Sequence, residues 1–189
     1  KRPNYDVGFV FYAGHGVQVG GENYLLPTKE EFKKEIQIIN YALSVQTIVS
    51  YLTAKSDQVN VLILDACRNT PFESNWTSTR SIAGSGLAKM QAPSGSLIAF
   101  STTAGNTAPD GDGENSIYCQ SLAKNMLLEG VELGQVFRNV RAEVKELTNK
   151  KQMTEEYTQR TGNSYYLVKS SFSDQIIEID SLIESEDFH

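Results

Sequence analysis

Two residues in this chain have the type and setting that nucleophilic chemistry needs. His15 lies in Phe11-Tyr12-Ala13-Gly14-His15-Gly16, and Cys67 lies in Leu64-Asp65-Ala66-Cys67-Arg68. Each follows a run of strand-forming apolar residues, Val7 to Tyr12 and Val59 to Leu64. Parallel α/β sheets present their chemistry at the carboxyl ends of strands, where such a run gives way to a polar side chain. A thiol beside an imidazole is the smallest nucleophile and base pair: the thiolate attacks a carbonyl and the imidazole carries the proton. The other histidine is the terminal His189, and the other cysteine is Cys119. Cys119 falls in a predicted helix beside Tyr118 and Leu122, where packing is the expected role. The chemistry implied is that of a cysteine peptidase.

The elements that must position these residues follow from the pattern. Val7 to Tyr12 predicts a buried strand that ends in a tight turn at Gly14-His15-Gly16. Val17 to Leu26 contains Gly20-Gly21 between short alternating runs and predicts a β-hairpin. Residues 28–40 read as charged and irregular. Ser44 predicts an N-cap, with Val45, Ile48, Val49 and Leu52 at helical spacing. The aliphatic run Val59 to Leu64 predicts a central parallel strand. Residues 68–94, rich in Ser, Thr, Asn and Gly, read as a long polar loop, of the kind that is usually functional or mobile. Leu97 to Phe100 predicts the next strand, followed by the loop Ser101 to Asn115.

Ser116 predicts the cap of a helix reaching about Leu128, with Gly130 as its stop. Leu133, Val136, Phe137, Val140, Val144 and Leu147 line one face of a second helix. Lys150 to Gly162 reads as a charged loop, Ser164 to Val168 as a last strand, and the residues from Ser171 as an acidic tail. Strands alternating with helices predict a parallel sheet covered by helices.

Bulk properties narrow the partners. A chain of 189 residues with 40% hydrophobic and 21% charged residues is a single globular domain in size and composition. No apolar run approaches the ~20 residues that span a bilayer, so no membrane partner is expected. The net charge of −6 argues against nucleic acid, which calls for a basic face. Two cysteines make no disulfide framework, and a nucleophilic thiol suits a reducing, cytoplasmic setting. One histidine, one cysteine and Asp65 do not make the ligand set of a zinc site, and Asp110-Gly111-Asp112-Gly113-Glu114 lacks EF-hand spacing. No metal and no organic cofactor is expected.

The residues around His15 and Cys67 resemble the caspase-like clan of cysteine peptidases. They are closer to its metacaspase, paracaspase and bacterial orthocaspase branches than to the animal caspases. The carriers are Asp65-Ala66-Cys67-Arg68-Asn69, with His15 about 50 residues upstream as in the caspase signature, and Phe100-Ser101-Thr102-Thr103-Ala104-Gly105, which is similar to a segment lining the substrate groove. Asn69 departs from the glycine often found there. The resemblance runs from residue 5 to 168 and implies an α/β fold, a caspase-like three-layer sandwich with a mostly parallel sheet and helices on both faces. It implies a peptidase domain over 1–168, with 169–189 as an acidic extension. That fold starts with a strand and a helix ahead of the histidine strand. The chain begins almost at that strand, so this first part is expected to be missing, either outside the sequence or cut off and still bound.

The resemblance also implies roles. His15 and Cys67 are the catalytic dyad, and the backbone N–H groups of Gly16 and Cys67 form the oxyanion hole. Asp65 stands where metacaspases and paracaspases place an acid in a pocket for Arg or Lys; from composition alone, the loop acids Asp110, Asp112 and Glu114 are further candidates to add negative charge there. The expected partners are protein or peptide substrates with a basic P1 residue, and the chain's own amino-terminal fragment. Arg80 and Lys89 in the long polar loop, and Lys150, Lys151 and Arg160 in the later charged loop, are candidate self-cleavage points. Plainer readings stand beside these: Cys67 as a core cysteine, Gly16 as a turn glycine, Asp65 as a local cap. The competing functions are a silent caspase-like interaction domain and a peptidase that prefers an acidic P1 residue.

Overall fold

The computed structural model describes residues 7–30, 32–54, 58–67, 87–103, 115–160 and 164–170. Strand β1 spans Val7–Val19, longer than the apolar run alone predicts. No tight turn interrupts it at Gly14-His15-Gly16, because the backbone stays extended and changes partner instead of direction. Strand β2, Glu22–Leu25, returns antiparallel to β1, from Gly16↔Leu25 to Val19↔Glu22. The expected hairpin is therefore present. Its turn places Gly20 at φ 60° and Gly21 at φ 88°, the pair of positive angles that a two-residue hairpin turn of this type requires.

Helix α1, Glu35–Tyr41, occupies the segment read as irregular. It escapes a periodicity search because only Ile38 is buried, while Ile36 and Ile39 are exposed. Its first turn is held by Gln37, whose Oε1 accepts from the backbone N–H groups of Lys33 and Lys34 at 2.7 and 3.0 Å. Leu43–Ser44 forms a two-residue strand, β3, beside β2. Ser44 then caps α2, Val45–Leu52, by accepting from the N–H of Thr47 at 3.3 Å.

The centre of the sheet is β4, Val59–Cys67, with β5, Ser96–Phe100, parallel to it. Helices α3, Ile117–Met126, and α4, Leu133–Leu147, follow, and β6, Glu155–Thr158, closes the order β3-β2-β1-β4-β5-β6. The middle three strands are parallel and the additions on both sides antiparallel. Alternation along β4 sends its side chains to two layers. Leu62 and Leu64 pack with Ile98 and Phe100 against Val45 and Val49 of α2. Val61 and Ile63 pack with Leu97 and Ala99 against Tyr118 and Leu122 of α3 and Phe137 and Val140 of α4. The result is the three-layer α/β sandwich.

Two expectations at the carboxyl end are corrected. The segment 150–162 is not all loop, since β6 pairs antiparallel to β5 from Leu97↔Thr158 to Phe100↔Glu155. Its Glu-Glu-Tyr-Thr sequence has no apolar alternation; Glu156 is ion-paired to Arg141, and Lys89 lies 4.0 Å from Glu155. Ser164 to Val168 is no ladder but a single bridge, Glu132↔Tyr166, and Tyr165 and Leu167 pack on the α3–α4 core instead. Residues 171–189 of the tail, including His189, lie outside the described residues.

The apolar face predicted for α4 is buried except at its last member. Phe137 is 2% exposed and Leu147 is 57% exposed. Phe137→Ala is expected to cost about 3–5 kcal/mol of stability. Leu147→Ala is expected to change it by no more than about 0.5 kcal/mol. Urea unfolding of the two variants checks the contrast.

Candidate active site

The two positions singled out for chemistry lie side by side in the backbone, at the last pair of the β1–β4 ladder. The β1–β4 ladder runs from Val7↔Val59 to His15↔Cys67, so the two positions are register partners, on strands whose backbones lie about 4.7–4.9 Å apart. Exposure alternates along β1. Phe9, Phe11, Ala13 and His15 form its open face, while Val10 and Tyr12 pack on the α2 core. His15 is therefore accessible to solvent.

The backbone at His15 is held from one side. Its carbonyl accepts from the N–H of Leu26 at 2.9 Å and from the hydroxyl of Tyr12 at 2.9 Å. The same hydroxyl reaches the Leu26 carbonyl at 2.8 Å. Burial pushes the Tyr12 phenol above its ordinary value, so it remains a donor at neutral pH.

Gly16 is buried beneath Leu87, and a Cβ there would lie 2.7 Å from a Leu87 methyl. Leu87 is kept in place by a residue that the sequence did not single out. Asn23, fully buried on β2, donates from Nδ2 to the carbonyl of Ala88 at 2.9 Å and accepts from its N–H at 2.7 Å. One side-chain amide thus copies a strand pairing across 65 positions of sequence. The available signal was an Asn inside a short strand, between Glu22 and Tyr24.

Asp65 sits half-buried on β4, two positions before Cys67, and its Oδ2 accepts a short hydrogen bond from the Ser116 hydroxyl. Ser116 is the cap of α3, and its oxygen also accepts from the N–H of Cys119 at 2.9 Å. Burial, then the nearby Asp65, raises the Cys119 thiol above its usual value, which keeps it protonated at neutral pH. The Tyr118 phenol is raised as well, first by complete burial and then by Asp65 and Glu156.

The end of β5 lies beside this cluster. The N–H of Ser101 donates to the Leu64 carbonyl at 3.0 Å, and the Ser101 carbonyl accepts from Gln152 Nε2 at 2.8 Å. Ser101 and Thr102 are fully buried. Asp110, Asp112 and Glu114 lie outside the described residues, as do Ala104 and Gly105 and residues 68–86. Among the described residues, no cluster of His, Cys, Asp and Glu has the makings of a metal site. No helix among them is long and apolar enough to cross a membrane.

The chain matches the family model of the caspase domain, a peptidase family, over residues 1–165. It therefore belongs to that family. A search of curated proteins gives no match.

The close approach at Gly16 has a measurable consequence. Gly16→Ala is expected to lose about 1–3 kcal/mol through overpacking against Leu87. In a double-mutant cycle with Leu87→Ala, the two changes should couple by more than ~0.5 kcal/mol, since the truncated side chain leaves room for the new methyl group. Urea titrations of the four proteins measure that coupling.

Proposed function

We propose that this protein is a cysteine endopeptidase that cleaves after Arg or Lys. The observation that carries the reading is the register pairing of His15 with Cys67 at the open end of the parallel strands. Family membership supports it. In this reading Cys67 is the nucleophile. Its thiolate forms a bond to the carbonyl carbon of the substrate, while the backbone N–H groups of Gly16 and Cys67 steady the oxyanion. His15, as the imidazolium, gives its proton to the leaving amine as the C–N bond breaks. It then takes a proton from the water that hydrolyses the thioester, and the thiolate is regenerated. Asp65 is the acid that pairs with a basic P1 side chain, through charge-assisted hydrogen bonds that a P1 carboxylate would meet as repulsion. Asp110 and Asp112 are proposed as additional pocket acids.

Fluorogenic peptides with Arg, Lys, Asp or an uncharged residue at P1 test this. Arg is expected to be cleaved best, then Lys, with Asp far behind. Cys67→Ala should fall to background, and Asp65→Ala should lose roughly 10- to 100-fold in kcat/KM on Arg peptides, the size of a lost charge-assisted hydrogen bond. Alkylation by iodoacetamide at pH 7.5 should label Cys67 ahead of the protonated Cys119. Equal background rates for the wild type and Cys67→Ala on every substrate would leave a silent interaction domain. Preference for Asp would reverse the specificity.

Self-cleavage belongs to the same proposal. Lys150 and Lys151 lie in a turn whose N–H groups are bonded to the carbonyls of Lys145 and Thr148, and Arg160 is held by Glu132 beside the Tyr165 ring. Arg80 is outside the described residues. Lys89 is exposed on an irregular segment, which is the geometry a peptidase can bind. Mass spectrometry of the wild type and Cys67→Ala should find a cut after Lys89 or Arg80 in the wild type alone. Identical intact masses for the two proteins would remove self-cleavage from the account.

A further inference from the structure

The hydrogen bond between Ser116 and Asp65 links the proposed P1 acid to the start of α3, across 51 positions of sequence. We infer that Ser116 is a positioning residue for P1 specificity: its hydroxyl fixes the Asp65 carboxylate in the orientation that receives a basic side chain. This rests on the reading of Asp65 as the P1 acid.

The argument is one of valence and anchoring. A serine hydroxyl has one hydrogen to donate and lone pairs to accept with. Here the cap bond from the N–H of Cys119 fixes the oxygen, and the single hydrogen goes to Asp65 Oδ2. Helix α3 in turn cannot drift, because Tyr118 and Leu122 are buried against Val61, Ile63, Leu97 and Ala99 of the sheet. The carboxylate is thus tied to a rigid element on the side away from its own strand. A freely rotating carboxylate would lose rotamer entropy each time it paired with a guanidinium. One already held by Ser116 loses little, and the gain falls on substrate binding.

An ordinary capping serine makes the opposite prediction, and the two can be separated. Glycine at a helix N-cap costs only a few tenths of a kcal/mol relative to serine. Ser116→Gly therefore removes the hydroxyl from Asp65 while the helix survives, and Ser116→Thr keeps both bonds. For Arg peptides, Ser116→Gly is expected to raise KM about tenfold with kcat within about twofold, the pattern of lost ground-state binding. Peptides with an uncharged P1 residue should be unaffected, and Ser116→Thr should restore KM to within about twofold of wild type. In the Asp65→Ala background, Ser116→Gly should have no further effect on KM.

Three results would overturn the inference. A KM for Arg peptides unchanged in Ser116→Gly would make Ser116 a cap and nothing more. An equal loss of kcat on charged and uncharged substrates would show general damage to the fold. Failure of the wild type itself to prefer basic P1 residues would sink the underlying specificity reading, and this inference with it. The first two leave that reading standing, so the two failures are distinguishable.

Discussion

The parallel pairing of β1 with β4 is the constraint on which the arrangement depends, and its register needs a source. Side chains in a strand alternate at a period of two, so a slip of one residue turns every side chain to the opposite face. Along most of β4 that would matter little to hydrophobicity, because Val61, Leu62, Ile63 and Leu64 are all buried, two against each helical layer. Asp65 breaks the symmetry. In the observed register its carboxylate meets Ser116 of α3. Shifted by one, it would enter the layer of Leu62, Leu64 and Ala66 under α2, where an unpaired charge is costly. The acid proposed to select substrate also aligns the strand that brings position 67 beside His15.

Neutral amides do comparable work away from the sheet. Asn23 holds Ala88, and with it Leu87 over Gly16. Gln152 holds the Ser101 carbonyl at the end of β5. Each reaches a backbone group more than 50 positions away. Removing such an amide leaves a buried carbonyl or N–H without a partner, which costs more than the bond itself contributes. The segments that flank the site are therefore pinned by polar contacts inside an otherwise apolar frame. The outer strand β6 is treated differently. Its Glu155 and Glu156 face Lys89 and Arg141, and charges along an edge strand discourage pairing with other chains.

The proposed chemistry sits where the β1–β4 ladder ends, flanked by β2 on one side and β5 on the other. The change of partner within β1 matters here. Up to His15 the strand pairs with β4, and from Gly16 onward it pairs with β2, so the histidine sits at the junction of the two ladders. At that junction its backbone is tied by Tyr12 and Leu26 while its side chain stays exposed.

Much of this was legible in the chain alone, where local signals suffice. The Gly20-Gly21 hairpin, the caps at Ser44 and Ser116, the aliphatic run of β4 and the apolar stripe of α4 each follow from short-range stereochemistry or burial period. The paired His15 and Cys67 motifs stood out for the same reason. What the sequence could not determine depends on partners far along the chain. Helix α1 buries one residue, and β6 exists because β5 offers it a ladder of backbone groups, so neither leaves a periodic trace. The continuation of β1 through Gly14-His15-Gly16 was decided by the exchange of β4 for β2, which no local propensity encodes. Ser116 was readable as a cap from its neighbours. That its one hydrogen points to Asp65 was settled only when α3 packed on the sheet, because a hydrogen bond across 51 positions exists only after the long-range fold has formed.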